Sequence, residues 1–557
     1  LSPLISDTGN LKTNENQVIF ERRIANNIKE PDIQEFRTNG ETFSYNRFLN
    51  EFYKSGNKSN FIQYIIDNKK EKNFLYLRAP KRVEELAGLI SRELSNKNSN
   101  TLNELSETIS NNVHSEFYCV EHIKKGLVYL HGKLPDLIKE YLEYKFSNVK
   151  ELQFMVANSV ILEGVNLPID NLFILNTHKL DGKSLTNLIG RVNRLNEVFD
   201  DNRQSLDKLL PPIHFVNSDE FNRKGGKMEN QIKLLKNNTF KDDIKNPLLL
   251  NFDPSNLIDK LEKSKEKEDQ TEIELAEKEL NRIIEIQNRE NFLISSDLDD
   301  SNRVEQILME SGISSDYRNP EKILIALKNR ILAISKNDDW LASRLLDKIY
   351  LFFINGLESE ISDVAFLRLQ NPKARDFYEQ FTKNLHRLSL KDHISDTLRY
   401  FNKIKDTDSG KEFYIGTSYG EIAKINTSSA YSSNAYIDLS KKTNRELANL
   451  ALVKIKIESD FISYRINKYV NALHDLELVK DEEYNMHIYG TDKKTNAEFV
   501  KIGISGALIN KIDRDKQMQN ISITEFGTIT YNEEFSRYIK SQDDLIQFEM
   551  SKYVSID

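Results

Sequence analysis

Leu152-Gln153-Phe154-Met155-Val156 is a short, almost wholly apolar run that breaks into Ala157-Asn158-Ser159-Val160-Ile161-Leu162-Glu163-Gly164-Val165-Asn166-Leu167-Pro168. A run of that length without polar alternation suits a strand buried on both faces, and the Gly and Pro behind it mark a loop. The same texture recurs on either side. Phe74-Leu75-Tyr76-Leu77 and Leu127-Val128-Tyr129-Leu130 precede it, and Leu172-Phe173-Ile174-Leu175 and Ile213-His214-Phe215-Val216 follow. Between the runs lie helical patterns: Val83, Leu86, Ala87 and Ile90 after the first strand, then Leu137 to Phe146, then Leu185 to Leu195. Buried strands alternating with helices need crossover connections. Residues 71–220 are therefore read as one three-layer α/β domain with a parallel sheet.

The flanks have other textures. Residues 1–70 are polar and Asn-rich, with weak helical periodicity in Phe48-Leu49-Asn50-Glu51-Phe52-Tyr53. Residues 221–400 are expected to be a helical domain. It opens with a basic stretch (Arg223, Lys224, Lys227, Lys233, Lys236, Lys241, Lys245) and continues through a charged helix from Leu257 to Phe292. The basic stretch suits either phosphate contacts or a solvated linker. Residues 401–557 look like a small α+β region. A strand at Phe413-Tyr414-Ile415 comes first, and Thr443-x-x-Glu446 then forms a capping box for a long helix reaching about Val479. Short strands are expected at Asn485–Tyr489 and Phe499–Ile504.

Composition narrows the class. The 557 residues suffice for several cores, and 29 Phe with 23 Tyr argue against disorder. The lone cysteine, Cys119, rules out an intramolecular disulfide framework and reads as a small buried hydrophobe. His114 and His122 have no partner at ligand spacing, so no metal site is expected within the chain. No apolar stretch approaches a membrane span and no signal sequence opens the chain, which points to a soluble, cytoplasmic protein without membrane contact. Leu1 in place of Met suggests an internal fragment. A net charge of −8 does not exclude a nucleic-acid groove, since local patches set that field.

The chemistry is concentrated in the loop after Val156 and in Asn187-Leu188-Ile189-Gly190-Arg191-Val192-Asn193-Arg194. On a helix, Arg191 and Arg194 would share one face and converge on one target. Two guanidiniums suit a polyphosphate, and Gly190 allows close approach, though a solvated basic face has the same spacing. The Gly164–Pro168 loop would sit at the carboxyl end of its strand, where open α/β sheets bind ligands.

Together, and in this order, the two stretches resemble the fifth and sixth conserved motifs in the second RecA-like lobe of superfamily-two DEAD/DEAH-type helicases. His131-Gly132-Lys133-Leu134-Pro135 with Glu143 and Phe146, and Glu163-Gly164-Val165-Asn166-Leu167-Pro168, resemble blocks of the superkiller-like branch. Phe74 to Pro80 and the helix behind it would be that lobe's fourth motif. Leu1-Ser2-Pro3-Leu4-Ile5-Ser6 is similar to the tail of the first lobe in helicase subunits of Hachiman-type antiphage defence systems, and Tyr414-Ile415-Gly416-Thr417-Ser418-Tyr419-Gly420-Glu421 fits that group.

The resemblance implies roles. Arg194 would be the arginine finger with Arg191 beside it, and Gly164, Asn166, Asn187 and Gly190 would line the nucleotide. Arg78, Pro80, Lys81, His131, Gly132, Lys133, Asn158 and Ser159 would follow the backbone of bound DNA or RNA, single-stranded or with a single-stranded tail. Residues 1–70 would be the tail of the first lobe and a linker, and a nuclease subunit would be the partner. Two positions depart from the pattern: Asn187 stands where Gln is usual, and Asn158 where Thr is usual.

ATP hydrolysis also needs a phosphate-cradling Gly-x-x-x-x-Gly-Lys-Ser/Thr loop and an acidic pair for Mg²⁺. Neither occurs. Gly182-Lys183-Ser184 has Thr177 in place of the first glycine, and Asp481-Glu482-Glu483-Tyr484 lies at the wrong end of the chain. ATP and Mg²⁺ would be held mainly by a missing first lobe, and this chain alone is expected not to turn over. The rival expectation is a non-catalytic nucleic-acid- or protein-binding scaffold built on a degenerate lobe.

Overall fold

The computed structural model describes residues 29–158, 167–178, 180–194, 206–223, 225–235, 300–337, 342–363, 365–416 and 436–555, with 198–199, 340 and 419. The expected Leu257–Phe292 helix lies outside these residues, as do Lys224, Lys236, Lys241 and Lys245 of the basic stretch.

The apolar runs are strands: β4 (Asn73–Tyr76), β5 (Leu127–Leu130), β6 (Phe154–Ala157), β7 (Asn171–Ile174) and β8 (Pro212–Val216). Every residue of β4, β5, β6 and β7 is buried, which is why their sequences show no polar alternation. They pair in parallel, with Tyr76 of β4 opposite Ala157 of β6 on one side and Ile174 of β7 on the other. Flanking helices connect them: α1 (Phe61–Asp67), α2 (Pro80–Glu93), α3 (Asn100–Asn112), α4 (Tyr118–Lys124), α5 (Asp136–Asn148) and α6 (Gly182–Gly190).

The sheet is larger than its apolar runs suggest. β1 (Asp32–Phe36) pairs in parallel with β8, and β2 (Glu41–Asn46) and β3 (Glu51–Asn57) continue antiparallel from it. The full order is β3-β2-β1-β8-β7-β4-β6-β5. The helical periodicity read at Phe48–Tyr53 was misleading, because these residues form a hairpin tip and the start of β3. Asn50 turns the chain at φ +57°, a left-handed conformation that Asn tolerates, and Phe48 and Leu49 project exposed from the tip. Residues 32–57 are thus part of this sheet, and the boundary expected at 70/71 does not fall at a break in it.

Beyond β8 the described chain is mainly helical. The capping box forms: Thr443 Oγ1 accepts the Glu446 N–H at 3.3 Å, and Glu446 Oε2 accepts the Thr443 N–H at 2.8 Å. The long helix runs Asn444–Phe461, loosens into a π-turn at Ile462–Ile466 and resumes at Asn467–Asp475. One hydrophobic core joins the sheet (Phe74, Tyr129, Phe154, Phe173) to this helical region (Phe352, Phe353, Tyr469). A second, smaller core gathers Phe499, Ile509, Ile512 and Phe535 near the C-terminus.

Two expected strands are corrected there. Asn485–Tyr489 falls in and just beyond the helix Asp481–Ile488, and Phe499–Ile504 lies largely in Lys494–Ile502, which Gly503 closes at φ +114°. Short apolar runs suit either state, and here packing onto neighbouring helices decides. Strands in this part are instead the hairpin Ile521–Ile523 and Ile529–Tyr531. Among the described residues no helix is long and apolar enough to cross a membrane.

Candidate nucleic-acid and nucleotide site

Parallel strands release their loops on one edge. The loops after β4, β6 and β5 therefore emerge side by side, carrying Arg78–Lys81, Asn158 and His131–Lys133. The Leu77 N–H donates to Ala157 O at 3.0 Å, extending the ladder by one residue, and Asn158 Nδ2 donates to Arg78 O at 3.4 Å. Pro80 is buried at the start of α2, where its fixed φ suits the first helical turn. Arg78 is exposed, while Lys81, Gly132 and Lys133 are half-buried.

His131 departs from its expected place along a bound strand, because it has no exposed surface. Its Nδ1 accepts the Lys133 N–H at 3.2 Å, so Nε2 carries the proton and donates to Glu84 Oε1 at 3.2 Å. The ring is a strut that shapes the loop. Asn158 is likewise buried and ties two loops together. Lys133 Nζ lies 3.9 Å from Asp460 Oδ2 of the long helix, and burial draws its pKa below the ordinary lysine value. The same helix sends Lys456 to Asp136 at the start of α5, at 2.7 Å. Ser159, Gly164 and Asn166 lie outside the described residues.

The arginine pair lies elsewhere. Asp181 caps α6 by accepting the Ser184 N–H at 2.7 Å, so the Gly182-Lys183-Ser184 sequence is simply a helix start. The helix ends at Gly190, eight residues on, with Arg191 as its cap. Asn193 then turns left-handed at φ +47°, and its N–H donates to Ile169 O at 2.8 Å. Arg194 follows that turn. The two arginines are thus not on one helical face: Gly190 weakens the helix and Asn193 accepts the reversed backbone.

Ile169 stands just before β7, which places this turn at the amino ends of the strands. The two motifs therefore do not share an edge: α6 runs back along the sheet and delivers Gly190–Arg194 to the end opposite the loops after β4, β5 and β6. A cavity of 880 Å³ opens there, lined by Asp32, Lys72, Asp170, Asn193, Lys208 and Pro212 among others. Arg191 and Arg194 are half-buried, and Asn187 and Gly190 are exposed.

Spacing along the chain missed Glu84, Tyr419 and Asp460. Glu84 is buried within the apolar stripe of α2, where a carboxylate needs partners from elsewhere in the fold, and that was the available signal. Tyr419 donates its hydroxyl to Glu84 Oε2 at 2.8 Å across a separation of 335 residues, which no local pattern reveals.

No family model and no curated protein matches this sequence. Among solved structures, the crystal structure of a CRISPR-associated protein is similar with a TM-score of 0.15 and 16% identity, over 32% of this chain and 19% of its own length. The chain thus spans about a fifth of that protein, and a likeness of this size carries no argument about function.

Proposed function

We propose that this chain is the C-terminal part of an ATP-dependent superfamily-two helicase or translocase. It would provide the second RecA-like lobe, its arginine finger and half of the nucleic-acid track, in antiviral defence with a nuclease partner. The observation that carries the proposal is the convergence of Arg78–Lys81, His131–Lys133 and Asn158 on one edge of a parallel sheet. These segments are far apart in sequence, and each carries a motif expected to face a bound strand.

Arg191 and Arg194 suit the polyphosphate of ATP by donor chemistry: both are half-buried guanidiniums flanking a fixed turn. ATP with Mg²⁺ supplies the phosphoryl-transfer chemistry when held by a first lobe. In this proposal Arg194 contacts the nucleotide in the closed state only, which lets ATP bias lobe closure. Lys81, Arg78 and Lys133 hold the strand while the cleft opens and closes. The chain alone is expected to be inactive, because it has no phosphate loop or acidic pair.

The test is ATPase activity of the chain joined to its phosphate-loop lobe, with and without single-stranded DNA or RNA. Stimulated turnover that falls at least about tenfold in Arg194→Ala, some 1.4 kcal/mol of barrier, supports the motor. Equal turnover in both proteins removes the arginine finger. The burial of His131 favours the second reading, a non-catalytic scaffold, and nucleic-acid binding without any turnover in the joined chain would select it.

A further inference from the structure

Tyr419 belongs to the sequence segment 414–421 and comes after the helical region, yet it is buried against the first turn of α2. Three contacts hold it there. Its hydroxyl donates to Glu84 Oε2 at 2.8 Å, its carbonyl oxygen accepts the Lys81 N–H at 3.3 Å, and its ring centre lies 5.9 Å from Lys81 Nζ. Pro80 has no N–H, so the Lys81 amide is the first unsatisfied donor at the start of α2, and the Tyr419 carbonyl satisfies it.

Glu84 is the centre of this arrangement. A buried carboxylate must have both oxygens engaged or carry a large desolvation penalty. Tyr419 engages Oε2, His131 engages Oε1, and the Lys81 ammonium stands 3.8 Å away. His131 passes the constraint on by accepting the Lys133 N–H. A chain of side chains thus runs from Tyr419 through Glu84 and His131 to the loop bearing Lys133. Its origin is fixed in the helical region, where Lys454 Nζ donates to Tyr414 O at 2.9 Å.

We infer that Tyr419 is a positioning residue for nucleic-acid binding: through Glu84 and His131 it sets the Lys133 loop and the α2 start in the geometry that grips a phosphate backbone. The inference rests on the proposed nucleic-acid-binding role of this edge. It makes the grip of the sheet depend on a residue supplied by the C-terminal region. Removing the hydroxyl leaves Glu84 Oε2 without its donor, and the carboxylate then pulls on Lys81 and His131, the groups that hold the two loops.

The experiment is fluorescence anisotropy of a labelled single-stranded oligothymidylate titrated with the full chain at several salt concentrations, alongside thermal unfolding. Tyr419→Phe is expected to weaken binding at least about fivefold, the scale of one typical net hydrogen bond, and to flatten the salt dependence. In a Glu84→Gln background, where the chain is already interrupted, Tyr419→Phe should change affinity less than about twofold. A Tyr419→Phe protein that melts earlier but binds with unchanged affinity and salt slope overturns the inference, as do fully additive effects in the double variant. Should Tyr419→Phe fail to fold, Glu84→Gln alone must show the same loss of affinity, and its failure to do so is equally fatal. If the unsubstituted chain does not bind the oligonucleotide even at low salt, the nucleic-acid role falls first and this inference with it.

Discussion

The two ends of the sheet are built in opposite ways. At the carboxyl end the loops are locked by buried polar side chains, with Asn158, His131, Glu84 and Tyr419 linked to one another or to backbone. At the amino end a turn with two half-buried arginines stands beside an 880 Å³ cavity. Satisfied polar networks hold a geometry rigidly, and a guanidinium offers a planar fork of donors suited to anions. The sheet is thus divided between one end fixed by buried hydrogen bonds and another where two half-buried guanidiniums stand near an open cavity.

The largest expected effect would break this division. If the proposed motor holds, Arg194→Ala in a chain joined to a phosphate-loop lobe should lower nucleic-acid-stimulated ATP turnover by about 10³-fold, the scale of an arginine finger, and leave oligonucleotide affinity unchanged. Loss of both activities together would mean that the two ends are not independent.

A second test concerns Lys72, which lines the cavity. Its ammonium donates to the carbonyls of Phe146, Val149 and Leu152 at 2.6, 2.8 and 2.8 Å, so all its protons are engaged where α5 ends. Lys72→Met should cost about 3 kcal/mol in urea unfolding by leaving those carbonyls without a donor. A cost below about 1 kcal/mol would show that water replaces the ammonium easily and that this end is more open than its hydrogen bonds suggest.

Acid sharpens the comparison between the sheet and the helical region. Burial pushes His122 and His393 down to about 4, and His214 and His487 down to about 3. Each is neutral in the folded protein but protonates near 6.5 when unfolded, so the unfolded chain binds more protons and stability falls as pH drops from 6.5 toward 4. Each contributes at most about 1.4 kcal/mol per pH unit in that window. His122 and His214 lie in the sheet region, His393 and His487 in the helical region. Because the larger core spans both, one transition should shift with pH as a whole, and two transitions separating in acid would show that the regions unfold independently.

The smallest effect is at the long helix. Thr443→Ala removes the capping hydroxyl and should lower stability by about 1 kcal/mol, read from the thermal midpoint, with oligonucleotide binding unchanged. A change in binding would tie the helix start to the carboxyl-end loops more directly than its contacts indicate.

Legibility followed burial. β4 to β7 could be read from sequence because both faces are covered, and apolar residues therefore run without interruption. β1 to β3 were missed because polar residues, buried Glu35 and Thr42 among them, interrupt their apolar positions, and the partner that makes β1 a strand is β8, distant in sequence. The capping box was legible because its two residues are local. The end of α6 was not: Leu185 to Leu195 keeps its apolar spacing, yet Gly190 and Asn193 stop the helix. At the site, the loops were legible as loops, but the buried lock between them was not, since Glu84, His131 and Tyr419 meet only in the folded chain.

The π-turn at Ile462–Ile466 sets a rotational phase. One extra residue in a helix turn displaces everything after it by about 100° about the axis. Tyr464 consequently faces solvent, while Tyr469 lies flat on Phe366 at 3.9 Å and donates to Asp316 at 2.5 Å. The segment 467–475 is thus keyed to its neighbours by angle as much as by composition. Removing a single residue from the π-turn would leave every core side chain present and point each of them about a quarter-turn away from its socket.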